Sequence, residues 1–156
     1  MKTTIAVLVP VLLGEVQSTR TGEASPAIVF VCEHGAAKSV IATAYFNKLA
    51  ADRGLPFRAI FRGTAPQAEL SVRAVEGLRA DGLAVPGGKP EAIADQDVAH
   101  ATHIFAIGCT LPEKARTSGK GADWSDVPDD QGYGPMRDAI VRHVKNRLIQ
   151  LEKALK

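Results

Sequence analysis

The clearest pattern in this sequence is the run Ile28-Val29-Phe30-Val31-Cys32-Glu33-His34-Gly35-Ala36-Ala37-Lys38-Ser39. Four apolar residues that lead into a cysteine are typical of a buried strand, and the small residues after it indicate a tight loop that opens a helix. Such a cysteine lies under backbone N–H groups and the positive end of a helix dipole. We therefore expect Cys32 to be a thiolate beside an anion pocket, where it can attack a bound oxyanion.

The composition fits one globular domain with a hydrophobic core, since 46% of the 156 residues are apolar and 23% are charged. The net charge of +2 is spread along the chain, and the aromatic residues are one Trp, two Tyr and five Phe, so we expect no nucleic-acid partner. No apolar run approaches membrane-spanning length. The cysteines and histidines lack zinc spacing, and we expect no metal.

The rest of the chain alternates between predicted helices and strands. Strands are predicted over 28–32, 57–62, 102–108 and 122–125, and helices over 39–53, from a Ser71 cap to Gly82, over 92–101 and from about Pro135 onward. The second helix has its predicted apolar face at Val72, Val75 and Leu78. The last helix has its predicted inward residues at Met136, Ile140, Val144, Leu148, Leu151 and Leu155. This order predicts a parallel α/β sandwich, which binds ligands beyond the carboxyl ends of its strands.

The first strand and loop carry a resemblance to a known family. Val29-Phe30-Val31-Cys32 with Lys38-Ser39 resembles the C-x5-R-S loop of the low-molecular-weight protein tyrosine phosphatase superfamily, which includes the thiol-dependent arsenate reductases. Arg62-Gly63-Thr64 and the segment 73–78 resemble further parts of that family. The resemblance implies a three-layer sandwich with a four-stranded parallel sheet in the order 2-1-3-4, formed by a phosphotyrosine protein phosphatase I-like domain over 27–156. It also implies that no cofactor is required.

The loop departs from the family in two places. Lys38 stands where the family has arginine, so it supplies positive charge without the bidentate geometry of a guanidinium. His34-Gly35 replaces the usual Gly-Asn of the loop. Because anion binding depends mainly on backbone groups and charge, we expect it to survive these changes better than turnover does.

The resemblance also assigns roles to the site residues. Cys32 is the nucleophile, and the transferred oxyanion is bound by the loop residues Glu33, His34, Gly35, Ala36, Ala37 and Lys38. Ser39 donates its hydroxyl to the Cys32 sulfur, or it caps the helix. Asp129 is our choice for the general acid, and Asp126 and Asp130 on the same loop are its rivals.

Cys109, predicted near the end of the third strand, matches the first resolving cysteine of the arsenate reductases. The position of a second resolving cysteine is Arg116, so a three-cysteine relay is absent. If the first and third strands are neighbours, a bond between Cys32 and Cys109 is geometrically conceivable. The alternative for Cys109 is a small buried apolar residue.

Residues 1–26 resemble a leader. Met1-Lys2 precedes an apolar stretch over 5–14 with small residues at 16–18, as in a short secretory signal. The alternative is a disordered or interfacial leader that is retained in the cytoplasm, with the domain beginning near Ala27. Export and retention both stay open at this point.

Three functions fit these observations. The first is hydrolysis of a phosphate monoester such as phosphotyrosine, on a phosphorylated protein, through a cysteinyl-phosphate intermediate. The second is thiol-dependent arsenate reduction, which needs a thiol reductant. The third is a catalytically weak oxyanion-binding module of the same fold.

Overall fold

The computed structural model describes residues 27–156, and the expectations for the leader over 1–26 lie outside the described residues. Nine helices and strands are found there. The strands are β1 (Ala27–Cys32), β2 (Arg58–Gly63), β3 (Ala101–Ala106) and β4 (Gly121–Asp123). The helices are α1 (Lys38–Asp52), α2 (Val72–Ala80), α3 (Asp95–His100), α4 (Glu113–Arg116) and α5 (Tyr133–Ala154).

The four strands form one parallel sheet in the order β2-β1-β3-β4. This arrangement confirms the predicted fold. The central strand β1 is apolar along its whole length because both of its faces are buried under other elements. Since all four strands run in the same direction, their carboxyl ends meet at one edge, where the loop after Cys32 begins.

The two faces of the sheet carry separate hydrophobic clusters. On one face, Phe30 packs against Phe46, Phe105 and Trp124 beneath α1 and α5. On the other face, Val29 and Val31 of β1 and Ile104 of β3 pack against Val98 of α3 and Ala115 of α4. Successive side chains of a strand point to opposite faces, so neighbouring residues of β1 belong to different clusters.

Several predicted bounds and burials were wrong. β3 ends at Ala106 rather than at residue 108, and Gly108 turns the chain with a φ of 64°. α3 begins at Asp95 because residues 91–93 are extended and bridge to the end of β2. Val72, in the first turn of α2, is 70% exposed, and Leu155, beyond the last turn of α5, is 56% exposed.

None of the helices in the described part of the chain is long and apolar enough to cross a membrane.

Candidate active site

A cavity of about 360 Å³ opens at the carboxyl end of β1. It is lined by the loop after β1 together with residues from three distant segments: Gln67, Ser71, Gly108, Asp129 and Met136. The site therefore forms where the parallel sheet predicts it, beyond the ends of its central strands.

Cys32 lies at the base of this cavity and is 3% exposed. Its Sγ is 3.1 Å from Ser39 Oγ, and Ser39 is completely buried. The helix N-cap is Ala37, so Ser39 is already the second residue of α1. The Ser39 hydroxyl therefore contacts the sulfur and does not cap the helix.

Two glycines bring the loop against the end of β2. Gly35 has a φ of +59°, and a Cβ there would lie 2.9 Å from the backbone nitrogen of Gly63. A Cβ on Gly63 would lie 2.8 Å from the backbone nitrogen of Gly35. Neither position has room for a side chain, so the loop and the strand end approach each other through bare backbone.

The carbonyl groups of the loop are turned toward the segment that follows β2. Those of Cys32, Glu33, His34 and Ala36 accept hydrogen bonds from amides within 64–71, at 2.8–3.2 Å. A carbonyl and the next N–H of a trans peptide point in opposite directions. The N–H groups of residues 33, 34, 35 and 37 are therefore directed away from that segment.

Lys38 and Asp129 form an ion pair across the cavity, with 2.6 Å between Lys38 Nζ and Asp129 Oδ1. The lysine side chain is 9% exposed, whereas the aspartate is 70% exposed. A Cβ on Gly108 would lie 2.8 Å from Nζ, so the ammonium group is enclosed on that side. The buried cation thus has one solvent-facing partner.

The loop over 124–130 carries three aspartates in different surroundings. Asp129 lines the cavity, whereas Asp126 points to α5, where it bonds His143 Nε2 at 2.6 Å and Arg142 at 3.0 Å. The hydrogen bond from His143 is the main cause that lowers the pKa of Asp126 below its ordinary range. Asp130 is exposed. Asp129 is thus the aspartate of this loop that stands beside Cys32.

Glu33 and His34 form the rim of the cavity. Their side chains are 67% and 59% exposed, and 3.9 Å separates Glu33 Oε2 from His34 Nε2. Both side chains reach solvent, so the loop presents mainly small residues and backbone to the interior of the cavity.

Cys109 lies three residues beyond β3 and packs against the sheet face opposite to Cys32. Its Sγ donates a hydrogen bond to the carbonyl oxygen of Val31 at 3.4 Å. It lines a separate cavity of about 330 Å³ with Arg116 and Asp123. Burial, followed by the charge of Cys32, raises the pKa of the Cys109 thiol to about 11. Both cysteines are free.

Sequence reasoning missed part of the site. A groove of about 440 Å³ continues from the cavity between α1, α2 and α5, and is lined by Ile41, Val72, Arg73, Tyr133 and Met136. The exposed Val72 lines this groove. Gly108 could have been found from its place at the end of a predicted strand, but nothing local marks Tyr133 or Gln67 as site residues.

Comparison with known proteins places this geometry among related folds. A family model described as low molecular weight phosphotyrosine protein phosphatase matches residues 27–156. A solved protein tyrosine phosphatase from Entamoeba histolytica, with Hepes in its active site, is 20% identical with a TM-score of 0.72. That alignment covers 85% of this chain and 100% of the other. A search of curated proteins gave no significant match.

Two further solved structures have the same fold with different described activities. An arsenate reductase in the phosphate binding state is 18% identical with a TM-score of 0.69, and the alignment covers 81% of this chain and 98% of that one. The arginine phosphatase YwlE of Bacillus subtilis, solved with a phosphorylated active-site serine, is 18% identical with a TM-score of 0.68. There the coverage is 81% and 96%. At these identities the likeness shows the fold alone.

Proposed function

We propose phosphate monoester hydrolysis for this chain, which belongs to the low molecular weight phosphotyrosine protein phosphatase family. The observation that carries the proposal is the shared cavity of Cys32 and Asp129, with the buried Lys38 ammonium between the nucleophile's loop and the carboxylate. A nucleophile, a positive charge and a proton donor are the groups that this reaction needs. The substrate class is a phosphorylated side chain such as phosphotyrosine.

The first step transfers the phosphoryl group to the protein. Cys32 Sγ attacks phosphorus, and an S–P bond forms as the bond from phosphorus to the ester oxygen breaks. Asp129 gives its proton to the departing oxygen, which leaves as an alcohol. The Ser39 hydroxyl, 3.1 Å from the sulfur, stabilises the thiolate, and Lys38 with the N–H groups of residues 33–38 stabilises the oxyanion.

The second step releases phosphate. Water attacks the cysteinyl-phosphate, the ionised Asp129 accepts its proton, and the S–P bond breaks to return the thiolate. Each half of the cycle uses Asp129 once, first as acid and then as base. The site consequently ends in its starting state without any cofactor.

The ion pair between Lys38 and Asp129 must open during this cycle. Their 2.6 Å contact engages the ammonium that would bind the phosphoryl oxygens. Since Asp129 is exposed and Lys38 is not, the carboxylate is the partner that moves. A bound dianion then takes the place of Asp129 on Lys38, and the released carboxylate takes up a proton from solvent, which it gives to the leaving oxygen.

We expect this competition to separate binding from turnover. Asp129→Asn should bind inorganic phosphate more tightly than wild type, because the competing carboxylate charge is gone. Its kcat on an aryl phosphate should fall by about 10²–10⁴-fold, the usual contribution of a positioned general acid. Asp126→Asn, on the same loop but outside the cavity, is the matched control and should keep wild-type kcat. Looser phosphate binding with unchanged kcat would remove Asp129 from the mechanism.

The nucleophile is tested separately. Wild type, Cys32→Ser and Cys109→Ser are assayed on an aryl phosphate, with trapping of a labelled phosphoprotein at acid pH. Cys32→Ser should lose turnover while Cys109→Ser keeps it, since Cys109 lies in a different cavity. Equal rates in wild type and Cys32→Ser would end the proposal.

Arsenate reduction is a second candidate, favoured by the position of Cys109 near β1. Cys32 Sγ forms an S–As bond with arsenate as a protonated oxygen leaves as water. A second thiolate then attacks Cys32 Sγ, and arsenite departs with the electrons of the S–As bond. The reduction of As(V) to As(III) is thereby balanced by the oxidation of two thiols to a disulfide.

The surroundings of Cys109 favour an external thiol as that second group. A pKa of about 11 keeps the Cys109 thiol protonated near neutral pH, and its packing on the other sheet face requires the 107–109 turn to move before it reaches Cys32. Arsenate turnover with a small added thiol, retained in Cys109→Ser, would support an external thiol. Loss of arsenate turnover alone in Cys109→Ser would assign the role to Cys109.

A weak oxyanion binder is a third candidate, since Lys38 is a point charge already engaged by Asp129. In that case wild type binds phosphate but turns over neither substrate. Lys38→Arg adds a second charge-assisted hydrogen bond to the oxyanion and should raise hydrolysis by about tenfold. Lys48→Arg, an exposed substitution on the same helix, is the control and should change nothing. Turnover of either substrate by wild type would exclude this candidate, and no gain in Lys38→Arg would show that Lys38 is not what limits hydrolysis.

A further inference from the structure

We propose a second binding site, for a small oxyanion, in a cavity of about 250 Å³ at the open edge of β2. It lies between α1, β2 and the Pro86–Glu91 connection, and none of the proposed catalytic groups lines it. The inference does not depend on the chemistry of Cys32. It depends on three features of the cavity: a gap in the strand edge, a buried hydroxyl without a partner, and the charge of the walls.

Along the outer edge of β2, Ala59 and Gly63 each have hydrogen-bond partners, and a gap lies between these two partners. The side chain of Asn47 acts like a neighbouring strand toward Ala59, accepting from its N–H at 2.7 Å and donating to its carbonyl at 3.1 Å. The chain at 91–93 does the same for Gly63, with bonds of 2.8 and 3.0 Å. Alternate residues of a strand direct their backbone groups to the same edge, so Phe61 faces the space between these two partners.

Phe61 leaves one backbone position at this edge for a ligand. Its carbonyl accepts a hydrogen bond from Arg62 Nη1 at 2.9 Å, and its N–H is directed into the gap. The backbone groups of one residue are too few to pair with an added peptide strand. The edge therefore fits a small molecule with an oxygen acceptor.

Thr43 supplies the second observation. This α1 residue lines the cavity, is 2% exposed, and its Oγ1 has no hydrogen-bond partner within the described residues 27–156. A buried hydroxyl without a partner is costly and uncommon in a folded protein. An oxygen of a ligand in this cavity would accept from Thr43 and satisfy the group.

The charges select an anion. Arg58 and Lys89 lie at the mouth and are exposed, while Arg62 is held by Asp97 at 2.9 and 3.1 Å and is neutralised there. Glu91 is the acidic residue of the lining, 3.7 Å from Arg62 Nη1. With Arg62 paired, Arg58 and Lys89, which form no ion pair within residues 27–156, face one carboxylate, which favours an oxyanion over a metal ion. Carboxylates and phosphates share the chemistry that the site recognises.

The test is a residue-resolved NMR titration of the full chain with inorganic phosphate, and in a second arm with acetate, each against sodium chloride of equal ionic strength. We expect two separate saturable sets of amide shifts, one over 33–38 at the catalytic loop and one at Phe61, Gly87 and Gly88. The two arms decide which oxyanion is preferred. No saturable shift at the second set with either anion would overturn the proposal.

Two variants connect the shifts to the cavity. Lys89→Gln and Thr43→Val should each weaken binding at the second set by about tenfold, while the shifts over 33–38 keep the wild-type midpoint. Lys153→Gln, an exposed lysine on α5, is the control and should alter neither set. Thr43→Val should also raise the melting temperature without phosphate, because it removes the unpaired hydroxyl. Wild-type affinity at Phe61 in both variants would reject the site.

Discussion

At the scale of single residues, Gly35 is a position at which the loop over 33–38 requires glycine. It combines a positive φ with a contact to Gly63 that leaves no room for a Cβ. The loop carbonyls bond to the 64–71 segment on either side of this contact. The anion pocket is therefore built by close backbone packing, and the side chains are added to it.

Gly35 has a positive φ and no room for a Cβ, and comparison with a second glycine separates these two requirements. Gly54 also has a positive φ, of 65°, but a Cβ there would meet nothing within 4 Å. Gly54→Ala should cost about 1–2 kcal/mol of unfolding free energy, the usual cost of a left-handed conformation for an L residue. Gly35→Ala should cost more and should abolish phosphate binding at the loop. Urea titrations and phosphate binding of both variants check this, and equal losses would show that the contact with Gly63 is unimportant.

Much of the site was predictable at this scale because it is local in sequence. Cys32, Lys38 and Ser39 follow one another through a strand, a loop and a helix, so their relative places follow from the pattern. The 2.6 Å contact of Lys38 with Asp129 is different, since 91 positions separate the two residues. The sequence spacing gives no sign of a contact between residues so far apart, and only the folded structure shows it.

At the scale of elements, α2 and α5 meet through one glycine. The ring of Tyr133, at the start of α5, lies against Gly77 in the middle of α2, and a Cβ on Gly77 would overlap the ring. A glycine inside a helix normally costs about 1 kcal/mol relative to alanine. Here the contact with the Tyr133 ring favours glycine at position 77, although alanine has the higher helix propensity.

Gly77→Ala should therefore destabilise the protein although alanine is the better helix former. We expect a loss of about 1–3 kcal/mol from overpacking, together with a change of Tyr133 fluorescence or NMR shifts. Gly134→Ala is the matched control, because a Cβ there meets nothing within 4 Å and only the helix propensity improves. It should be neutral or slightly stabilising. A stabilised Gly77→Ala variant would contradict the packing described here.

The predicted elements were correct in type and order, but the short helix α4 (Glu113–Arg116) was not predicted, and the other errors lie at element ends. Residues in the first or last turn satisfy the spacing of a helix without being covered by another element, as Val72 and Leu155 show. The early start predicted for the third helix failed because residues 91–93 pair with Gly63 instead. Periodicity describes the middle of an element well, while its ends depend on tertiary contacts.

At the scale of the whole molecule, Asp81 joins three helices. Tyr45 of α1 and Tyr133 of α5 both donate to Asp81 Oδ2, at 2.6 and 2.7 Å, and Arg137 binds Oδ1 at 3.0 Å. Burial by itself raises the pKa of Asp81, but these hydrogen bonds and the charge of Arg137 lower it below its ordinary value. Burial and the bond to Asp81 raise the pKa of Tyr45 to about 12.

This cluster predicts how stability changes with acid. The lowered pKa of Asp81 gives stability that is present above about pH 4, the ordinary value for aspartate, and is lost as pH falls through the folded value. Asp81→Asn should therefore be less stable than wild type at neutral pH, and the difference should shrink as the pH is lowered below about 4. Urea midpoints across that range measure it. Asp130→Asn, an exposed loop substitution, should run parallel to wild type, and a constant gap for Asp81→Asn would contradict the assignment.

The sheet order follows the resemblance, whereas the sheet face on which Cys109 lies could not be predicted from it. Three residues beyond β3, the chain has already turned at Gly108, and the alternation of the strand no longer tells which face a side chain takes. Cys109 consequently lies on the opposite face from Cys32, an outcome that depends on the turn alone. Long-range side-chain placement after an irregular turn is the part of this fold that the sequence does not predict.

The contact between Lys38 and Asp129 also bears on which esters the protein would accept. In the proposed reaction, the Asp129 carboxylate already neutralises Lys38 in the cavity, so an incoming molecule must exceed the attraction of one negative charge to displace it. Doubly charged monoesters meet that condition, while diesters and sulfate esters, with a single charge, do not. The protein would thus select substrates first by their negative charge, and only then by the shape of the leaving group.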